Sequence, residues 1–158
     1  MSQPSGSAAR GNEEHMPEVE FHHDQMAMRL NVTMPATDEA INTAVEGIMK
    51  IVRQIECANG KEFEIETALR EALANALIHG AQMDPSKKIQ CCVACEDEKG
   101  MLIIVRDPGT GFDPLDIPDC TVGDNLYSNH GRGIFLINEL MDEVQFHKNG
   151  TEIHMRKY

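Results

Sequence analysis

The spacing of apolar residues alternates between the repeat of a strand and that of a helix, and this order is the strongest constraint on the fold. Apolar residues recur at every second position within residues 21–34, which predicts one strand with a buried face. Two stretches at helical spacing follow, at residues 37–60, where Thr37 is the expected N-cap, and at residues 64–81. The first half of the chain therefore predicts a strand followed by two amphipathic helices.

The second half of the chain predicts four more strands and one more helix. Strands are expected at 88–96 and 101–106, a helix at 133–141, and a final hairpin at 144–148 and 151–157. Hairpins beside hairpins imply a largely antiparallel sheet, and the three amphipathic helices must then cover one of its faces. The predicted fold class is α+β, a two-layer α/β sandwich with a mixed, mostly antiparallel sheet.

Length and charge limit the classes of partner. The 158 residues include 14 Lys and Arg against 26 Asp and Glu, which gives a formal net charge of −12. This length indicates one domain, which we place at residues 21–158 after a disordered tail at residues 1–20. An acidic chain with no basic run is a poor candidate for binding phosphate backbones, so we expect no direct binding to nucleic acid. No apolar run approaches the roughly 20 residues that cross a bilayer, so we expect no membrane partner.

The cysteines indicate a reducing compartment. Their number is odd, five in all, which argues against a closed framework of disulfides. Cys92 and Cys95 form a C-x-x-C motif, but on a predicted strand a spacing of three puts them on opposite faces. Zinc would also need further ligands that the sequence does not pair with them. We expect buried, reduced cysteines and, because the N-terminus lacks the pattern of a signal peptide, a cytoplasmic protein.

Two polar segments are the first candidates for the chemistry of the protein. Glu71 and Asn75 lie one turn apart on one flank of the second predicted helix, although such a pair is more often a solvated helix face. Asp107 directly follows a predicted strand, and Gly109 and Gly111 allow the backbone there to approach a ligand closely. The alternative for this second segment is a plain Pro-Gly turn.

A third segment lies at the start of the third predicted helix. It consists of Gly131, Arg132 and Gly133. The free N–H groups and positive end of a helix attract anions, and Arg132 can add a charge-assisted contact to a phosphate. The alternative is a flexible entry to the helix. The connection that leads to it, residues 107–131, is rich in Gly, Pro and Asp, and connections of this length tend to be functional.

The order of these segments resembles a known nucleotide-binding fold. A helical E-x-x-x-N, a D-x-G-x-G-F after a strand and a G-x-G that opens a helix are similar to the GHKL (Bergerat-fold) ATP-binding superfamily of gyrase, the Hsp chaperone, histidine kinases and MutL. Within it, residues 34–158 look most like the RsbW-like anti-sigma-factor serine/threonine kinases. The sequence has no P-loop, dinucleotide or protein-kinase motif, so a nucleotide site would have to be of this other type.

The resemblance implies an ATP site that uses Mg²⁺, and it gives each segment a role. Asp107 would accept a hydrogen bond from the adenine amino group, in a pocket walled by Gly109 and Gly111. Asn75 would supply an oxygen ligand to Mg²⁺, and Glu71 would orient or deprotonate the attacking hydroxyl. Gly131, Arg132 and Gly133 would contact the phosphates. Thr151 would belong to the hydrogen-bond network around the adenine.

The resemblance also implies a regulatory role. The protein would phosphorylate a serine or threonine of a STAS-domain anti-anti-sigma protein, and it would hold a sigma factor away from RNA polymerase. Proteins of this kind are typically homodimers. Two alternatives stay open: a non-catalytic ATP-binding switch module, and a simple ATPase in which water replaces the serine hydroxyl.

Overall fold

The computed structural model of the chain describes residues 18–24, 29–96, 99–111 and 129–158. Most of the expected tail, residues 1–17, lies outside this part. The strands that it describes are β1 Glu20–Asp24, β2 Arg29–Pro35, β3 Lys88–Glu96, β4 Gly100–Arg106, β5 Glu143–His147 and β6 Glu152–Lys157. The helices are α1 Asp38–Gln54, α2 Glu62–Asn75 and α3 Asn129–Leu140, with a π-helical turn at Ala76–Gly80 and a 3₁₀ turn at Lys148–Gly150.

The strands form one six-stranded sheet in the order β1-β2-β3-β4-β6-β5, and each of these neighbouring pairs is antiparallel. The α+β prediction is confirmed. Because β6 pairs with β4, Arg106 at the end of β4 stands opposite Glu152 at the start of β6. The residues that follow β4 and precede β6 are therefore neighbours, which brings residue 107 beside residue 151.

The hydrophobic core lies between the helices and one face of the sheet. In β2, Leu30, Val32 and Met34 are buried and alternate with more exposed residues, as a strand with one covered face requires. The inward positions predicted for the second helix are also confirmed, since all of them are buried: Ile65, Leu69, Leu73, Ala76 and Leu77. Burial of each large apolar side chain stabilises the fold by about 1.5–3 kcal/mol, so this face fixes where α2 lies.

The N-terminus of α1 is the one that the sequence predicts. The Thr37 side chain accepts a hydrogen bond of 3.1 Å from the backbone N–H of Ala40, as an N-cap does. The helix ends at Gln54, before the predicted end at residue 60. Glu56 and Asn59 have φ angles of 54° and 50°, which is left-handed backbone that an α-helix cannot contain.

The strand predicted at residues 21–34 is wrong as a single element. β1 and β2 pair antiparallel, with Glu20 opposite Thr33 and Asp24 opposite Arg29, so this segment is a hairpin. An alternating pattern reports which face of a strand is buried, but it does not report where the chain reverses.

The third helix also begins earlier than predicted, at Asn129 and not at residue 133. Glycine has a low helix propensity, so the sequence prediction placed Gly131 before the helix and Gly133 at its first position. Both lie within it, and Gly133 packs closely against the Glu71 and Asn75 side chains of α2. Among the described helices, none has the length and apolar character needed to cross a membrane.

The cysteine predictions are confirmed in part. Cys91 and Cys92 are free and buried, and burial raises the pKa of the Cys91 thiol to about 12. Cys57 and Cys95, however, are joined by a disulfide, so the expectation of reduced cysteines is wrong for this pair. The turn after α1 brings Cys57 to the end of β3, with 6.2 Å between the two Cα atoms. Cys120 lies outside the described residues.

Candidate functional site

A cavity of about 220 Å³ opens between the end of α2 and the strands β4 and β6. Four of the residues singled out in the sequence line it: Asn75, Asp107, Gly111 and Thr151. Its other walls are largely apolar or small, and they comprise Ala72, Ala76, His79, Gly80, Val105, Ile134, Phe146, Gly150 and Ile153. Ligand pockets typically combine such apolar walls with a few placed polar groups.

The α2 side of the site carries the first predicted pair. Glu71 and Asn75 are half-buried and lie against α3, so the solvated-face alternative does not hold for them. A Cβ atom on Gly133 would lie 3.0 Å from Glu71 Oε2 and 3.4 Å from both polar atoms of the Asn75 amide. The glycine in α3 therefore allows the two helices to meet with these polar groups between them.

Asp107 lies where β4 ends. Its backbone N–H donates a hydrogen bond of 2.9 Å to the Thr151 carbonyl oxygen, which holds it against the segment before β6. Its Oδ1 accepts a hydrogen bond of 2.8 Å from the backbone N–H of Gly109. Burial raises the pKa of this carboxyl, and the hydrogen bond from Gly109 only partly opposes the rise. The site therefore holds a partly desolvated carboxylate at one end.

The backbone after Asp107 requires glycine at residue 111. Gly111 has a φ of +89°, and an added Cβ would overlap the carbonyl of Asn149. The loop that follows β4 is thereby packed against the 3₁₀ turn before β6. Thr151 closes the same corner, because its hydroxyl donates a hydrogen bond of 2.8 Å to the Lys148 carbonyl oxygen.

Gly131 and Arg132 lie less centrally than Gly133. Both are in the first turns of α3, where Gly131 is buried and the Arg132 side chain is exposed. Neither is among the described residues that line the cavity, although the next residues of the helix, Gly133 and Ile134, contact Asn75 and the cavity respectively. Of the nine predicted site residues, five are not among those that line the cavity: Glu71, Gly109, Gly131, Arg132 and Gly133.

The sequence prediction did not select the last two residues of the π-helical turn. His79 and Gly80 both line the cavity, and Gly80 touches the Asp107 side chain. The sequence could have pointed to them, because both belong to the same segment, residues 71–80, as Glu71 and Asn75. The apolar walls Val105, Phe146 and Ile153 were predicted only as strand residues, since a pattern does not show which inward residue borders a cavity.

The residues at this site fit a metal ion whose remaining ligands are phosphate oxygens of a bound molecule. Within the described residues, no group of three or more His, Cys, Asp or Glu is placed to hold a metal ion. Mg²⁺ commonly takes one or two protein oxygens and completes its coordination with waters and phosphate oxygens. The Asn75 carboxamide beside Glu71 matches such a sparse set of oxygen donors.

Comparison with known proteins places the chain in a family of ATPase domains. Residues 34–157 match the model of the histidine kinase-like ATPase domain. Similar curated proteins include the anti-sigma F factor of Bacillus cytotoxicus, which is 30% identical over 139 residues that span 84% of this chain and 94% of that protein. The anti-sigma F factors of Priestia megaterium and Bacillus thuringiensis are 24% and 29% identical with the same coverage.

Proposed function

Because the chain belongs to the histidine kinase-like ATPase domain family, of the GHKL superfamily and with the anti-sigma factors among its relatives, we propose that it is an ATP-dependent serine/threonine kinase and anti-sigma factor. One observation carries the proposal: Asn75, Asp107, Gly111 and Thr151 come from distant parts of the chain and line a single cavity. The proposed domain extends from residue 21 to residue 158.

The Asp107 end of the cavity would take the adenine ring. The apolar walls match the faces of a flat ring, and the carboxylate of Asp107 accepts the hydrogen bond that an exocyclic amino group donates. Gly109 and Gly111 keep the loop close enough to form one wall, and Thr151 anchors the Asp107 backbone. A guanine ring would instead present a carbonyl oxygen to this carboxylate, and two acceptors repel each other.

The α2–α3 end would take the phosphates. In this proposal Asn75 supplies a side-chain oxygen to Mg²⁺, and the first turns of α3, with Gly131, Arg132 and Gly133, contact the phosphate oxygens. Bound Mg²⁺ would neutralise charge that builds up on the phosphates during transfer. Glycine at residue 133 leaves room beside Glu71 and Asn75 that any side chain would fill.

Glu71 is the proposed general base. Its carboxylate would orient the hydroxyl of a serine or threonine and accept its proton, while the γ-phosphorus bonds to that oxygen and releases ADP. A pure ATP-binding module needs the ring and metal contacts but no such base. The position of Glu71 beside Asn75, and not out in solvent, favours transfer over mere binding.

The names of the relatives guide the choice of partners. Since proteins that are 24–30% identical are named anti-sigma F factors, we propose that this chain binds a sigma factor in the cytoplasm. Its substrate would be a STAS-domain anti-anti-sigma protein, and the active form would be a homodimer. Phosphorylation adds a charge of about −1.5 to −2 to that substrate, which would stop it from competing for the kinase.

Glu71→Gln tests the proposed chemistry. We expect the variant to bind Mg-ATP within about twofold of the wild type, because the amide keeps the shape of the side chain. We expect its phosphotransfer to the STAS-domain protein to fall by about 10² or more, the usual contribution of a general base. The measurement is incorporation of label from γ-labelled ATP, with site mapping by mass spectrometry.

Glu64→Gln is the matched control, since Glu64 lies on α2 outside the site, and it should transfer phosphate like the wild type. Wild-type labelling by Glu71→Gln would exclude Glu71 as the base. A wild-type protein that binds the sigma factor and ATP, yet labels no protein, would replace the kinase with a non-catalytic switch module.

A further inference from the structure

Gly80 lies directly against the side chain of Asp107. A Cβ atom built on Gly80 would come within 2.5 Å of the Asp107 Cβ and Oδ1 atoms and still closer to its Cγ. Real Cβ atoms do not make such contacts, so any side chain at residue 80 would displace the carboxylate. The φ angle of Gly80 is not in the left-handed region, which means that space, and not backbone conformation, requires glycine here.

The π-helical turn is what presents Gly80 to Asp107. After Asn75 the helix widens, and the Ala81 N–H donates to the Ala76 carbonyl oxygen at 2.7 Å, five residues back. Turns of this type are rare and occur often at functional sites. Here the turn brings the end of α2 onto the loop that follows β4, because Gly109 also packs on Gly80, with an added Cβ 2.8 Å from the Gly80 carbonyl oxygen.

These contacts orient the two oxygens of Asp107 differently. Oδ1 accepts the Gly109 N–H at 2.8 Å and is the oxygen that faces Gly80. Among the described residues, no other hydrogen bond is made to this side chain. With Oδ1 held in place, Oδ2 is the acceptor that remains for a ligand in the cavity that Asp107 lines.

We propose that Gly80 is a positioning residue for purine selectivity: the π-helical turn holds the Asp107 carboxylate so that Oδ2 accepts the amino group of the ring. This inference rests on the proposed ATP site and extends it to a residue that touches Asp107 and need not touch the nucleotide. Gly80→Ala would turn the carboxylate away, and the amino group would then lose its acceptor.

The test compares two nucleotides, ATP and purine riboside triphosphate, which lacks only the amino group. Affinities are measured by calorimetry in the full chain with Mg²⁺. We expect the wild type to prefer ATP by about tenfold or more, the usual value of a hydrogen bond to a charged group. We expect Gly80→Ala to reduce this preference to within about twofold. Gly47→Ala, also in a helix but next to the Phe21 ring and outside the cavity lining, should keep the wild-type preference.

Other outcomes would overturn the inference. If Gly80→Ala weakens both nucleotides by the same factor, the residue has only a structural role. If Gly80→Ala does not fold, the double variant Gly80→Ala with Asp107→Gly removes the collision and should fold; failure of the double variant would show that Gly80 is restricted by something other than Asp107. A wild type that binds neither nucleotide would instead reject the proposed ATP site itself.

Discussion

Glu152 is a buried carboxylate at the start of β6, and it contacts two cationic side chains and a histidine. It is 5% exposed. Its oxygens lie 2.7 Å from Arg106, 2.6 Å from His154 and 3.2 Å from Lys148. Burial alone would raise its pKa, but the hydrogen bonds from His154, Arg106 and Lys148 outweigh it and lower the pKa to about 2, from an ordinary value of 4.5.

This pKa predicts how stability depends on pH. A carboxyl whose pKa is lower in the folded state stabilises the fold above its unfolded pKa and loses that contribution as the pH falls toward its folded pKa. For Glu152 the window runs from about pH 4.5 down to about pH 2. The contribution is on the order of 2 kcal/mol, since the exposed Arg106 and Lys148 side chains are partly screened by water.

We expect Glu152→Gln to lower the free energy of unfolding at pH 7 and to flatten its fall between pH 4.5 and 2, as measured by urea denaturation at each pH. Glu139→Gln, a change at an exposed residue of α3, should keep the wild-type profile. A Glu152→Gln profile parallel to that of the wild type would show that this cluster does not control acid stability.

Single residues were predictable where one local rule fixes them. Thr37 was identified as a cap because a hydroxyl that precedes two acidic residues fits the start of a helix. Helical spacing put Glu71 and Asn75 on one flank of α2, but only the family resemblance gave them a proposed role. The role of Gly80 was not predictable, because its contact with Asp107 joins residues 27 positions apart in the sequence, and only the tertiary structure brings them together.

At the scale of elements, the type of each element was more predictable than its end. β3 begins and ends where predicted, and the strands of the final hairpin lie within one residue of their predicted bounds. The hairpin of β1 and β2 and the early start of α3 did not follow from the pattern. In the first case the alternation carries no sign of the reversal, and in the second the low helix propensity of glycine led to a predicted start that is too late.

One covalent link joins two of these elements. Cys57, in the turn after α1, is bonded to Cys95 near the end of β3, and 38 positions separate them. A bridge of this span restricts the unfolded chain, which stabilises the fold by about 3–4 kcal/mol in the chain-entropy account. The bridge therefore attaches the connection between α1 and α2 to β3 of the sheet.

We expect Cys57→Ser to lower the free energy of unfolding by about 3–4 kcal/mol in non-reducing buffer. Cys95→Ser should have a similar effect, and a reductant should bring the wild type close to both variants while leaving the variants unchanged. The measurement is urea denaturation with and without reductant. Alkylation of both Cys57 and Cys95 in unreduced protein would contradict the bridge.

At the scale of the whole molecule, the sheet order explains how the site is assembled. β4 and β6 are neighbours although the α3 helix separates them in the sequence, and this places Asp107 against Thr151. α2 packs on α3 and ends over the same loop, which adds Asn75 and Gly80 to the cavity. The sequence predicted which segments take part, and the strand pairing determines that they meet.

The family match begins at residue 34, so it includes the last residues of β2 and every later element. β1 and most of β2 precede the matched region, yet β1 pairs with β2 and β2 pairs with β3, so they complete the sheet at its first edge. All residues proposed for the site lie within the matched region. The chemistry proposed for this chain is therefore carried by the part that it shares with the family.

The central claim is that these segments form one ATP site with Asp107 at the adenine end, and calorimetry with Mg-ATP tests it most directly. Because Oδ1 takes the Gly109 N–H, an asparagine at residue 107 would turn its NH₂ group toward the adenine amino group, so that two donors face each other. We expect the wild type to bind ATP, Asp107→Asn to bind at least about tenfold more weakly, and Asp38→Asn in α1 to match the wild type. Equal affinities of the wild type and Asp107→Asn, or no binding by the wild type, would contradict the claim.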